Sequence, residues 1–246
     1  MPDTCKICGT TLTSKNRRKS HILTRSSYFN QQISRNGEHL MMLKKGEKII
    51  SDAGHYAWEW LLCGHCESKV GEWEGEREKL FSSDIRSKTR PEDQPYLETD
   101  QFDQNKIKLA CLADIYRCSV ASGLPYKDIS LGEKHESNIR KMLASEYADN
   151  KEEYPIVLCR FNSEYDKIDR ISGPPIKSRG PDGIRIYKTV VPRGWIWTVK
   201  IDSRQCEVLE KVSIGSFNQT LTIINYGDAR KSNEFRSIYE TIVDTI

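Results

Sequence analysis

The sequence predicts an α+β protein, and three observations along the chain predict it. Two Cys-x-x-Cys pairs lie within the first 70 residues, apolar residues recur at helical spacing between 105 and 147, and strand-like runs follow from 156 onward. Consecutive strand patterns with no helical pattern between them point to an antiparallel sheet. The boundaries that follow are 1–85 for a metal-binding domain, 86–104 for a linker or loop, and 105–246 for a helical plus antiparallel β domain.

In the first part, Cys5-Lys-Ile-Cys8-Gly9 has the form of a metal knuckle, with the glycine freeing a tight turn. Cys63-Gly-His-Cys66 supplies a second pair after the apolar Trp60-Leu61-Leu62. Zinc takes four tetrahedral ligands, and two thiolates two residues apart grip one ion from a single turn. Cys5, Cys8, Cys63 and Cys66 are therefore the expected ligands of a structural Zn²⁺. The rival is a pair of unconnected thiol motifs; a redox role is disfavoured because neither pair follows a strand in a βαβ pattern. Cys111, Cys118, Cys159 and Cys206 are scattered among apolar neighbours and read as small hydrophobes rather than a disulfide framework. His65 is expected to be exposed within its knuckle, and His39 and His55 to be surface residues.

Residues 86–104, with Pro91 and Pro95, read as loop. Ile107, Cys111, Ile115 and Cys118 then mark a helix over 105–121. Leu131, His135, Ile139, Met142 and Leu143 mark a second, running through Tyr147, with Ser130 and Glu133 as a capping box and His135 packed in the core. Ile156–Phe161 reads as a strand. Segments 183–191 and 194–202 form a hairpin about Pro192-Arg193, in which Trp195, Trp197, Val199 and Ile201 alternate with Ile196, Thr198, Lys200 and Asp202. Trp195, Trp197 and Tyr187 read as core residues, the alternative being that they stack on bases or line a ligand pocket. Segments 206–214 and 220–226 read as further strands, 172–182 as an irregular loop, and 233–243 as a short helix. Arg179, Arg185 and Arg193 stand near that loop, either facing an acidic partner or solvated.

Charge and hydropathy exclude some classes. No run approaches the ~20 apolar residues of a membrane helix, and the start lacks the apolar core of a secretion signal. A cytoplasmic protein with no membrane partner is expected. Net charge is only +3, so any attraction to nucleic acid must be local. Between Lys15 and Arg35 stand Lys15, Arg17, Arg18, Lys19, Arg25 and Arg35 without one acidic residue. Next to a metal site, Arg17, Arg18, Lys19 and Arg25 suit a phosphate-contacting surface; a solvated basic loop is the alternative.

The order Cys5-x-x-Cys8, Ser20-His21-Ile22, Leu62-Cys63-x-x-Cys66-Glu67 resembles the zinc-bearing HNH nucleases of the His-Me finger group. Those proteins run Cys-x-x-Cys, Asp-His-Ile, an Asn, then Leu-Cys-x-x-Cys and His or Asn. The resemblance implies a zinc-bound treble-clef or ββα unit over about 70 residues. It implies catalytic roles for His21 as the base that activates water and for Glu67 as a ligand of a divalent Mg²⁺ or Mn²⁺. Ser20 stands where the family has its metal-binding Asp, and Glu59 and Trp60 stand where its middle Asn would fall. The function implied is cleavage of DNA phosphodiester bonds. The alternative is an inactive zinc module that binds nucleic acid or a protein partner. Ala113-Asp-Ile-Tyr-Arg117 and Leu131-Gly-Glu-Lys-His135 with Arg140 are also similar to segments of bacterial proteins with this Ser-His-Ile motif. That likeness implies phage-defence or mobile-element biology.

Overall fold

The computed structural model describes residues 3–23, 41–44, 47–50, 58–83, 85, 95–123, 126, 128–148, 150, 152–161, 173–215 and 220–227. The expectations for Arg25, Arg35, His39, His55 and the helix over 233–243 lie outside these residues.

The chain is mixed α+β. Strand β1 (Arg17–His21) pairs antiparallel with β4 (Trp58–Cys63), and helix α1 (Gly64–Ser82) follows β4 directly. Between them, β2 (Met41–Lys44) and β3 (Glu47–Ile50) pair with each other. Helices α2 (Gln104–Val120) and α3 (Glu133–Ser145) come next, preceded by β5 (Tyr96–Thr99). The remaining strands are β6 (Ile156–Phe161), β7 (Ile176–Arg179), β8 (Arg185–Val191), β9 (Trp195–Lys200) and β10 (Leu221–Gly227), with short helix α4 (Glu207–Lys211) between the last two. They form a six-stranded sheet with β5 in the order β5-β10-β6-β9-β8-β7.

Helix α2 lies at the centre. Asp103 caps it by accepting the Lys106 backbone N–H at 3.0 Å, and every residue from Ile107 to Cys118 is buried. The helix is therefore covered around most of its circumference rather than along one stripe. Lys108 is buried with it, its ammonium donating to the Asn150 and Glu153 carbonyls at 2.6 and 2.8 Å. The apolar cluster around α2 is continuous from Cys5 to Ile223 and takes in one face of the sheet, including Leu158, Tyr187, Trp195, Trp197 and Val199. The two tryptophans are wholly buried, as their alternation predicts, and Trp195 donates its indole N–H to Phe81 O of α1 at 3.1 Å.

Several expectations are corrected. Within 86–104, read as loop, Tyr96–Thr99 pairs antiparallel with β10 as an edge strand. Within 172–182, Ile176–Arg179 pairs with β8. Segment 206–214 holds helix α4 instead of a strand: Glu210 turns back to accept the Cys206 N–H at 2.9 Å, which closes a helical turn. After α4 the chain re-enters the sheet on the side of β6 away from β9 and antiparallel to β9, so β10 runs parallel to β6 and the sheet is not purely antiparallel. Helix α3 starts at Gly132 with φ +84° and no side-chain cap, while the Ser130 carbonyl accepts Tyr187 Oη at 2.9 Å. His135 is half-buried, its Nδ1 3.1 Å from Tyr154 Oη, not part of the core. The hairpin turns where expected, with Arg193 and Gly194 both at positive φ (68° and 74°). Arg193 reaches Glu78 at 3.0 Å and Arg185 donates to the Ile201 and Leu131 carbonyls, so both brace the fold.

Candidate metal centre and the adjoining basic ribbon

The first knuckle is a turn closed by Gly9 N–H to Cys5 O at 2.9 Å, with Gly9 at φ +79°. Lys6 N–H donates to Leu61 O at 2.9 Å and fastens that turn to β4. The second knuckle spans the end of β4 and the start of α1: Cys63 is the N-cap and Cys66 stands in the first turn. A helix N-terminus favours thiolates there.

Together these turns bring one sulfur from each of Cys5, Cys8, Cys63 and Cys66 to within 4.8 Å of one another. Cys8 and Cys63 sulfurs are 3.7 Å apart, far beyond a disulfide bond. Zn–S bonds of ~2.3 Å at tetrahedral angles separate sulfurs by about 3.8 Å, so the donor set suits a tetrahedral metal ion such as zinc. Four thiols at this spacing compete for protons. The Cys66 side chain holds the Cys5 thiol well below its ordinary range, while the same contact and then burial push Cys66 upward. A divalent ion removes the conflict by letting all four ionise.

The β1–β4 ribbon carries the other expected residues. Its register runs Arg17 with Cys63, Arg18 with Leu62, Ser20 with Glu59 and His21 with Trp58, with an irregularity after Arg18. Ser20 is wholly buried, and its hydroxyl donates to Glu67 Oε2 at 2.7 Å across 47 residues of sequence. Burial pushes the Glu67 carboxyl upward, opposed by the Arg117 guanidinium and the Ser20 hydroxyl. Successive strand residues project to opposite faces, so His21, half-buried, leaves β1 from the face opposite Ser20. Arg17, Arg18 and Lys19 are exposed and pair with no carboxylate among the described residues; Arg18 donates to the Lys15 and Arg17 carbonyls. His65 is exposed, as expected. Glu59 accepts the Ser122 and Gly123 N–H groups at 2.8 and 2.7 Å.

Two features were not read from the sequence as part of the site. Behind Glu67, Arg117 pairs with Glu74 and Asp114, and Asp114 also holds Arg77 at 2.6 Å; Arg77 and Asp114 are wholly buried. Tyr116 Oη donates to Lys6 O at 2.6 Å and Arg140 Nε to Ile7 O at 2.9 Å, so α2 and α3 grip the first knuckle. The signal available was the Asp114-Ile-Tyr-Arg117 spacing, which puts acid and base one helical turn apart.

No helix among the described residues is long and apolar enough to cross a membrane. Comparison of the chain with protein-family models, with curated proteins and with solved structures gives no match in any of the three.

Proposed function

We propose that this chain is a zinc-stabilised, HNH-like protein that binds nucleic acid, with DNA phosphates held by Arg17, Arg18 and Lys19. The observation that carries the reading is the run of three exposed cations, unpaired with any described carboxylate, on a ribbon whose far end holds the four-cysteine cluster. The succession β1, β4, α1 around those cysteines is what a treble-clef or ββα unit would give. Replacing Arg17, Arg18 and Lys19 together with Gln tests the reading by fluorescence anisotropy over a salt series. Affinity is expected to fall for every sequence, and the slope of log K against log salt to drop by roughly one per lost phosphate contact. An unchanged slope would refute it.

A second reading, metal-dependent DNA cleavage, is favoured by the Ser20–Glu67 contact. It joins the two positions that the HNH resemblance equates with ligands of the catalytic cation. In that reading Glu67 and Ser20 face Mg²⁺ or Mn²⁺, His21 is the base, and the setting is phage defence or a mobile element. Binding without cleavage fits the geometry better. Ser20 is closed to solvent, its hydroxyl is already given to Glu67, and Arg117 supplies the positive charge a cation would bring. Turnover with Mn²⁺ that His21→Ala reduces by ~10²–10⁴-fold would establish the second reading instead.

A further inference from the structure

One face of the β1–β4 ribbon combines cations with aromatic rings. Arg17 and Lys19 alternate along β1, and Trp58 and Trp60 alternate along β4. The Arg17 guanidinium lies 4.4 Å from the centre of the Trp60 ring, and Lys19 Nζ lies 4.2 Å from that of Trp58. The two indoles meet edge to face at 5.5 Å. Trp60 remains 38% exposed, the most exposed of the five tryptophans. A ring needed only for the core would be covered, as Trp195 and Trp197 are.

Among the described residues, no carboxylate balances the charge on this face. Glu59 stands between the two tryptophans in sequence, and strand alternation sends it to the other side. There its carboxylate accepts two backbone N–H groups and the Ser122 hydroxyl. What remains, among the described residues, is a surface with two cations, two indoles and no carboxylate.

We propose that this face binds single-stranded nucleic acid, with a base stacked on Trp60 and the flanking phosphates on Arg17 and Lys19. The proposal rests on the nucleic-acid reading above and deepens it by naming the strand state. Base faces are hidden in a duplex and open in a single strand, so an exposed indole gains contact only from the latter. Arg17 and Lys19 stand two residues apart and lie over the adjacent rings of Trp60 and Trp58, which lets them meet neighbouring phosphates of an extended, unstacked strand. An acidic peptide would satisfy the cations but leave the exposed indole without a stacking partner.

The test uses the full metal-loaded chain, a labelled oligothymidylate and its duplex with oligoadenylate, read by anisotropy and tryptophan emission. The single strand is expected to bind more tightly than the duplex and to quench tryptophan emission. Trp60→Ala should weaken single-strand binding by roughly 5- to 150-fold, the loss expected for one stacked base, without changing the salt slope. Trp60→Phe should restore most of the affinity, because a phenyl ring also offers a face for a base. Retained metal content and an unchanged circular dichroism spectrum confirm that both variants fold. If the duplex binds as well as the single strand, or if Trp60→Ala binds like the parent chain, the stacking proposal is overturned and the basic-cluster reading stands. If neither nucleic acid binds, both fall.

Discussion

Ser20 and Glu67 show how a hydroxyl and a carboxylate, 47 residues apart, come to satisfy each other in a partly closed space. Glu67 follows the last knuckle cysteine, so the fold of α1 delivers it to the ribbon, and Ser20 is the strand residue whose side chain faces that helix. Replacing Ser20 with Asp sets two carboxylates against each other where a hydrogen bond stood, and like charges at this spacing resist joint ionisation. The variant is expected to melt below the parent chain at neutral pH, and added Mn²⁺ should leave that deficit unchanged. A Mn²⁺-dependent recovery of the melting temperature would instead reveal a cation site between residues 20 and 67. At this scale the four cysteines were legible because paired spacing is a local property. That Ser20 meets Glu67 from the face opposite His21 was not legible, since a motif gives the order of adjacent residues and not the face each one leaves from. The buried cluster of Arg77, Asp114, Arg117 and Glu74 escaped for a related reason. Its members come from two helices, and each alone reads as a solvated charge.

Some elements with a local pattern were read correctly, whereas the 19-residue α1 and those whose form depends on a neighbour were not. Helix α2 and the β8–β9 hairpin carry their own period and turn. By contrast, 206–214 is apolar enough for a strand, yet Glu210 closes a helical turn on Cys206 through both its backbone N–H and its side chain. The expected all-antiparallel sheet failed at β6 and β10 because β9 and β10, joined through α4, lie on opposite sides of β6, the one pairing with it antiparallel and the other parallel. The first knuckle is the element on which a single substitution says most. Gly9 has φ +79°, and a Cβ there would meet Arg140 Nη2 at 3.1 Å. Gly9→Ala is expected to cost about 1–2 kcal/mol for the left-handed backbone alone and to disturb the Arg140 contact with Ile7 O. Metal release to a colorimetric chelator should quicken accordingly; an unchanged rate would mean that the turn tolerates a side chain and that Arg140 is dispensable.

Across the whole molecule, the apolar core runs unbroken from the knuckle residues Cys5 and Ile7 to Ile223 of the last described strand. Metal binding at such thiolate sites is folding energy, so its loss should not stay confined to the first 70 residues. Chelation, or Cys66→Ser, is expected to lower one cooperative transition for the entire chain, with far-ultraviolet dichroism and tryptophan emission melting together. Two separated transitions would show that the sheet stands without the metal unit. The sheet's second face holds a cavity of about 310 Å³ lined by Val157, Cys159, Ile196 and Tyr226 with Arg179 and Lys188, a feature that no local pattern announces because five strands and α4 border it. The grip of Tyr116 and Arg140 on the Lys6 and Ile7 carbonyls carries a genetic consequence. Neither residue offers a sulfur, yet a lesion at either would loosen the ion's seat and behave as a nutritional defect, severe in zinc-poor medium and masked when zinc is supplied. A screen for metal-conditional alleles should therefore recover positions 116 and 140 alongside the four cysteines. The two groups would separate on rescue: extra zinc restores a weakened seat and cannot replace a missing ligand.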